Sequence, residues 1–316
     1  MVERMIIDCD PGHDDALAII LAAGSPNIDL IAITTVAGNQ TAEKVTRNAL
    51  AVCAVAGILT VPVAQGASVP LVRAQRVAPD IHGESGLDGP VLPEAQIELD
   101  PRHAVTLIID EIMSNEPGTI TLVPTGPLTN IAMAMKLEPR IVDRVKRVIL
   151  MGGSYTRGNT TPAAEFNIIA DPEAAHAVFA GDWPVTMVGL DLTHQATADA
   201  DVVARIAAID SPLSAFVVEI LAFFGSTYRE VQGFDAPPVH DLCCVAKLVD
   251  PAVFETEDAF VGVELTGTWT TGMTVIDFTN LLGEKANTQV ATTLDKDLLW
   301  NMTIDAISAL SKGTHA

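Results

Sequence analysis

Asp8-Cys9-Asp10-Pro11-Gly12-His13-Asp14-Asp15-Ala16 sets four carboxylates within eight residues, between two apolar runs. Upstream, Met5-Ile6-Ile7 has the short apolar character of a buried strand; downstream, Ala16 to Ala23 suits a buried helix closed by Gly24 and Pro26. Pro11-Gly12 supplies the turn between them. In such a unit Asp8 and Asp10 share one face of the strand end, because side chains alternate with period two. Asp14 and Asp15 fall in the helix's first turn, where free N–H groups and the macrodipole favour negative charge by roughly 0.3–1 kcal/mol per exposed group. Crowded carboxylates nevertheless repel and raise one another's pKa. A divalent cation is the simplest compensation. The ligands on offer are oxygens and no Cys or His pair stands at zinc spacing, so calcium or magnesium fits better than a transition metal. A solvated acidic turn that caps the helix is the alternative.

Strands and helices alternate on either side of this unit. Residues 29–36 form a second strand ending at Gly38-Asn39, a helix follows over 41–56, and Val61-Pro62-Val63-Ala64 makes a short third strand. Residues 66–100 lack lasting periodicity, a length of irregular chain that is usually functional or mobile. A helix over 102–114, a strand over 119–124 with a helix over 128–137, and a strand over 147–151 restore the alternation. A helix opened by Asp171-Pro172-Glu173 and a strand over 185–190 follow. This order implies right-handed βαβ units: an α/β fold with an open, mostly parallel, doubly wound sheet. The polar clusters at Asp10, Asn39, Thr125, Met151-Gly152-Gly153 and Asp191 each follow a strand, which puts all five at the carboxyl edge, where such sheets bind ligands. Beyond residue 200 the pattern gives a long helix over 211–233 and an apolar helix opened by Pro237-Pro238-Val239-His240-Asp241. An added C-terminal antiparallel segment over 254–294 and a helix over 295–310 complete the chain. No linker or repeat divides residues 1–316, which read as one domain.

Hydrophobic residues make up 49% of the 316-residue chain, and the mean hydropathy is +0.34. The longest uninterrupted apolar run is far shorter than the roughly 20 residues that cross a bilayer, so the richness belongs to a core buried on both faces of a parallel sheet. A net charge of −22 speaks against nucleic acid polymers and anionic membranes as partners. Cys9, Cys53, Cys243 and Cys244 show no framework spacing, and charges in the first ten residues break any secretory apolar region. A reducing cytoplasm is expected.

Among residues remote from the first turn, Asp241 precedes an apolar helix and is either its N-cap or a further ligand of the acidic cluster. His240 beside it suits an acid or a group that orients a leaving group. Glu165-Phe166-Asn167, with Asn159 six residues earlier, offers hydrogen bonds suited to a polyhydroxylated ligand, or simple loop polarity. His82 is either part of a lid or a surface histidine. Phe223, Phe224 and Tyr228 are helix core or a stacking platform for a heterocycle. Asp8-Cys9-Asp10 has the Asp-x-Asp form of a phosphatase nucleophile, but residues 11–15 differ from the residues that dehalogenase-type phosphatases place next. No Gly-x-Gly-x-x-Gly, Walker-type run or Cys-x-x-Cys is present, so a nucleotide-phosphate cradle and a zinc deaminase site lack support.

Taken together, these motifs closely resemble the inosine–uridine-preferring nucleoside hydrolase family. The likeness spans residues 8–16, Ile33 to Gln40, Val123 to Asn130, Met151-Gly152-Gly153, Ala164 to Asn167, Gly189 to Thr193 and Val239-His240-Asp241, in family order over most of the chain. Position 13 is His where some relatives have Leu. By this resemblance Asp10, Asp15, the Thr125 carbonyl and Asp241 hold a calcium ion, Ca2+. Asp14 and Asn167 bind the ribose 2′- and 3′-hydroxyls, Asn159 and Glu165 the 5′-hydroxyl, and Asn39 and Met151 line the sugar pocket. His240 faces the base. The implied reaction is hydrolysis of a ribonucleoside to ribose and free base, for nucleobase salvage. Asp10 is the general base, and His240 is the leaving-group acid in relay with Tyr228. A homodimer or homotetramer is the implied assembly. A pyrimidine-preferring hydrolase, a hydrolase of another N-riboside and a catalytically idle nucleoside-binding module are the competing readings.

Overall fold

The computed structural model describes residues 2–313. Its strands are β1 (Glu3–Cys9), β2 (Ile28–Thr35), β3 (Val63–Gln65), β4 (Ile120–Pro124), β5 (Arg147–Met151), β6 (Val185–Val188), β7 (Phe254–Val263), β8 (Thr274–Asp277) and β9 (Thr288–Leu294). They form a mixed sheet in the order β3-β2-β1-β4-β5-β6-β9-β7-β8. Pairing is parallel from β3 to β6 and on to β9, and antiparallel where β7 joins β9 and β8. The added antiparallel C-terminal segment is present as expected, and the structure shows how it joins the sheet. Its last strand runs parallel to β6, through Val185↔Thr288, and carries the antiparallel β7 and β8 on its far side.

β1 shows why the sheet is buried on both faces. Met5, Ile7 and Cys9 pack into one core while Ile6 packs into the other, and all four are fully buried. The first core includes α1 (His13–Gly24), α10 (Pro212–Gln232), α11 (Leu242–Val249) and α12 (Lys296–Ser311); the second includes α4 (Ala104–Ser114), α5 (Thr129–Leu137) and α7 (Pro172–Phe179). α1 is buried at every position except Ala23: from Ala16 on it is apolar all round, and its first turn buries His13, Asp14 and Asp15. α2 (Ala42–Ala56) follows β2.

Four short helices were not assigned from the sequence: α3 (Pro79–His82), α6 (Phe166–Ala170), α8 (Leu190–Thr193) and α9 (Ala200–Ala207), the last amphipathic with Val202 and Ile206 buried one turn apart. Apart from α3, residues 66–100 are irregular as expected, yet they are well tied. Thr227 Oγ1 donates to the Ile81 carbonyl (3.0 Å), Asn48 Nδ2 to that of Ser85 (3.0 Å), and Arg73 pairs with Glu173 (2.8 Å). α11 begins at Leu242, directly after Asp241 as the sequence suggested, so His240 and Asp241 stand before its first turn.

The chain leaves β1 for β2 and β3 in one direction and returns through β4, β5 and β6 in the other. The sheet order thus reverses between β1 and β4, the position at which open α/β sheets offer a crevice beyond their carboxyl ends. The acidic turn follows β1 and Thr125 follows β4, so both stand at that reversal.

Candidate active site

A cavity opens at the reversal, the place where open α/β sheets bind ligands. The strand ends contribute Asp10, Asn39, Thr125 and Met151, and Asp14 and Asp241 join them from the helix starts. Asn159, Glu165 and Asn167 come from the chain after β5. Ile81 and His82 come from α3, Tyr228 and Gln232 from α10, and His240 from the turn before α11.

The acids are the most costly feature of this arrangement. Asp10, Asp14, Asp15 and Asp241 are all buried, and oxygens of Asp14, Asp15 and Asp241 lie within 4.8 Å of one another. Asp10 adjoins this trio. Its Oδ2 accepts the Asn39 backbone N–H (2.6 Å), and Gly38 permits the approach, since a Cβ there would come within 2.1 Å of that oxygen. Asp15 accepts from the Gly12 N–H (3.0 Å) and the Thr125 hydroxyl (2.8 Å). Burial first, and then Asp15, push the Asp14 carboxyl up to about 7 and that of Asp10 well above its ordinary range. Burial and then Asp14 do the same to Asp241.

Two observations fit this cluster to a cation. Asp14 Oδ1 is buried without a hydrogen-bond partner. Asp241 occupies the N-cap position of α11, yet its side chain caps nothing. The donors are oxygens, the set that hard divalent ions take.

Glu165 and Asn167 are built into the backbone around them. Glu165 caps α6, accepting from the backbone N–H groups of Asn167 (2.8 Å), Ile168 (3.1 Å) and Gly153 (3.0 Å), and burial raises its carboxyl to about 7. Asn167 Nδ2 donates to the Thr125 carbonyl (2.7 Å) and the Met151 carbonyl (3.2 Å), joining the ends of β4 and β5. Asn159 Oδ1 accepts the Phe166 N–H (2.9 Å).

On α10 and the turn before α11, Tyr228 Oη lies 2.6 Å from His240 Nε2, and Thr193 Oγ1 lies 2.7 Å from His240 Nδ1. Burial is the main reason that the His240 imidazole is lowered to about 3 and the Tyr228 phenol raised well above 10. Both are uncharged near neutral pH.

Most of the sequence-derived residues therefore converge on one cavity, with exceptions. Asp8 is buried behind it, held by Thr34 Oγ1 (2.6 Å) and Asn130 Nδ2 (2.8 Å). Asp191 does not line the cavity, because β6 lies two strands away from the reversal. It instead accepts from the Tyr155 N–H (2.7 Å) and the Thr156 hydroxyl. His82 is buried against the cavity, not a surface histidine. Phe223 and Phe224 are absent from the lining, whereas Tyr228 is part of it. Ile81 and Gln232 were not singled out in the sequence, and Thr193 entered only as the end of the Gly189–Thr193 motif, with no role assigned. Ile81 sits in the irregular segment, and Thr193 meets His240 across 47 residues.

A family model described as inosine-uridine preferring nucleoside hydrolase matches residues 5–301. The chain is 55% identical over 311 residues to an inosine-uridine preferring nucleoside hydrolase of Crithidia fasciculata, spanning 98% of this chain and 99% of that protein. It is 45% identical over 312 residues to the pyrimidine-specific ribonucleoside hydrolase RihB of Shigella flexneri, spanning 99% of each. The solved structure of a purine-preferring ribonucleoside hydrolase from Gardnerella vaginalis superposes with a TM-score of 0.92 at 34% identity, covering 98% of this chain and 99% of that one. With identity at this level sustained from end to end, the chain belongs to the inosine-uridine preferring nucleoside hydrolase family and is a hydrolase of N-glycosyl bonds.

Proposed function

We propose that this hydrolase cleaves ribonucleosides to ribose and free base in a calcium-dependent reaction serving nucleobase salvage. The observation that carries the proposal is the group of buried carboxylates with an orphan oxygen at the sheet reversal. Asp10, Asp15, Asp241 and the Thr125 carbonyl are the ligands of the ion. Bound calcium supplies orientation and modest acidification of a water molecule, being a weaker Lewis acid than zinc.

In this reading Asp10 takes a proton from the attacking water, with its Oδ2 held by the Asn39 N–H and its other oxygen left for the transfer. Asp14 and Asn167 bind the 2′- and 3′-hydroxyls, and Asn159 and Glu165 the 5′-hydroxyl. Asn39 and Met151 complete the sugar pocket. The carboxylates also favour the positive charge that develops on the ribosyl ring as the glycosidic bond breaks, an oxocarbenium character shared with O-glycoside hydrolysis. The base leaves with a proton. An uncharged His240 is a poor proton store, so its part is to relay one through the Tyr228 hydroxyl, with Thr193 fixing the ring from the other nitrogen. Four buried, unpaired cysteines agree with a reducing cytoplasm. A single domain assembled as a homodimer or homotetramer belongs to the same proposal.

A panel of ribonucleosides assayed for reducing sugar, with chelator and after calcium is restored, tests the reading. Sugar release that stops with chelator and returns with calcium is expected; release indifferent to chelator rejects the calcium role, and no release from any nucleoside favours the idle binding module. The same panel decides base preference. The relatives of this chain include proteins described as inosine-uridine preferring, pyrimidine-specific and purine-preferring.

A further inference from the structure

The peptide unit between Pro11 and Gly12 is gripped at both ends. Its N–H donates to Asp15 Oδ2 (3.0 Å), and its carbonyl accepts from Asn48 Nδ2 (3.0 Å) on α2. A planar trans peptide points these two groups in opposite directions, so a contact that fixes the carbonyl also aims the N–H. Asn48 therefore acts on the Asp15 carboxylate from across the turn.

The same amide reaches a second carbonyl. Asn48 Nδ2 also donates to Ser85 (3.0 Å), and a carbonyl oxygen only accepts, so it is the nitrogen end of the amide, with its two hydrogens, that faces both partners. Asn48 is fully buried and its Oδ1 has no partner, which leaves donation as the one polar task of the side chain. The Ser85 contact belongs to a row. Gln40, Lys44 and Asn48, each four residues from the next, donate to the consecutive carbonyls of Gly83, Glu84 and Ser85. On its other side this segment is closed by Asp88, whose carboxylate accepts the N–H groups of Glu84 (2.9 Å) and Ser85 (3.1 Å). The Asp88 carbonyl in turn lies 2.8 Å from Nε2 of His13, the residue after Gly12. Gly86 permits the approach: its φ is +84°, and a Cβ there would stand 3.1 Å from Asn48 Nδ2.

The geometry points to Asn48 as a positioning residue that orients Asp15 through the Pro11–Gly12 peptide and ties that peptide to residues 83–88. This rests on the calcium and ribonucleoside reading above and deepens it. A ligand of the ion and the segment that continues from Ile81 and His82 in the cavity wall share one side chain. Occupancy of the carboxylate cluster and order in 83–88 are therefore linked, and each favours the other by the same factor.

Amide hydrogen exchange of the full-length protein, read by mass spectrometry on fragments covering 9–16 and 83–89, tests the link. Asn48→Leu keeps the branched outline of the side chain and removes both hydrogens. In chelator-stripped protein it should speed exchange in both fragments, relative to a fragment covering β5, by about tenfold, the worth of one buried hydrogen bond. Val52→Ala, which opens a cavity on the same helix, should lower Tm without that paired change. Unchanged exchange in Asn48→Leu, a change in one fragment alone, or the same paired change in Val52→Ala overturns the assignment. Should Asn48→Leu fail to fold, Asn48→Ala removes the same hydrogens and needs no added room. With calcium, exchange over 83–89 should slow in the wild type and not in Asn48→Leu, and the calorimetric Kd for calcium should rise about tenfold in the variant. A wild type that binds calcium with no slowing over 83–89 contradicts the link. A wild type that takes up no calcium rejects the calcium reading instead, while exchange in the stripped proteins still decides the role of Asn48.

Discussion

The two ends of the cavity are built on opposite principles. The proposed sugar end stands on the ends of β1, β2, β4 and β5, and its acids are crowded, buried and raised in pKa, with Asp14 Oδ1 left unpartnered. The proposed base end stands on α3, α10 and the turn before α11. Its histidines are uncharged, and its rings are held by Tyr228, Thr193, Asp88 and Phe224. One end concentrates charge on a rigid sheet edge, where strain awaits a cation. The other arranges hydrogen-bond donors and acceptors on segments that sequence variation can alter without disturbing the sheet. On the proposed reading, this division fits relatives described with different base preferences that share the fold of this chain.

Mutations at the two ends should fail in different ways. Asp10→Ala is expected to cut kcat by about a thousandfold or more for every nucleoside while the fold survives, since a general base typically contributes a factor of roughly 100 to 10,000. Steady-state kinetics beside a circular dichroism spectrum check this, and near-normal turnover refutes the assignment. His240→Ala should lower inosine cleavage by about a hundredfold but cleavage of a nitrophenyl riboside, whose leaving group needs little help, by less than about tenfold. Equal losses would mean that the base end does not assist departure.

A smaller effect separates charge from shape. In chelator-treated protein the Asp14 carboxyl stands at about 7 against an ordinary 3.8, chiefly through burial. Between those values the folded state binds more protons than the unfolded one. The stability this group contributes is therefore full below its ordinary pKa and is lost as pH rises through the folded value. A cation held by Asp15 and Asp241 beside Asp14 favours the charged form of Asp14 without the proton, so the gain in Tm from calcium should widen by several degrees between about pH 5 and about pH 8. A calcium effect of the same size at both pH values contradicts a metal bound by these acids.

The same contrast governs how much of the site was legible in the sequence. Asp10, Asn39, Thr125 and Met151 were readable because each ends an apolar run, and a parallel sheet sends all such ends to one edge. Asp191 satisfied the same rule and still missed the cavity, because the rule locates the edge and not the distance along it; β6 is two strands from the reversal. Asp241 looked equally like a helix cap, and only the packing of α1 against α11 turns it toward Asp14 and Asp15. At the base end α10 was readable as a long helix, but α3 and the chain around it were not. His13 and His82 are 69 residues apart, and their contact depends on how the irregular 66–100 segment folds back over α10. The direction of β9 was hidden for a related reason, since its β-branched residues suit either strand direction and its neighbour β6 is remote in sequence.

Calorimetric titration of calcium into chelator-stripped protein bears most directly on the claim that a divalent ion holds the buried acids together. One ion per chain should bind with release of protons, and Asp241→Asn should abolish or greatly weaken that binding. A stripped protein that takes up no calcium yet cleaves ribonucleosides at full rate would contradict it.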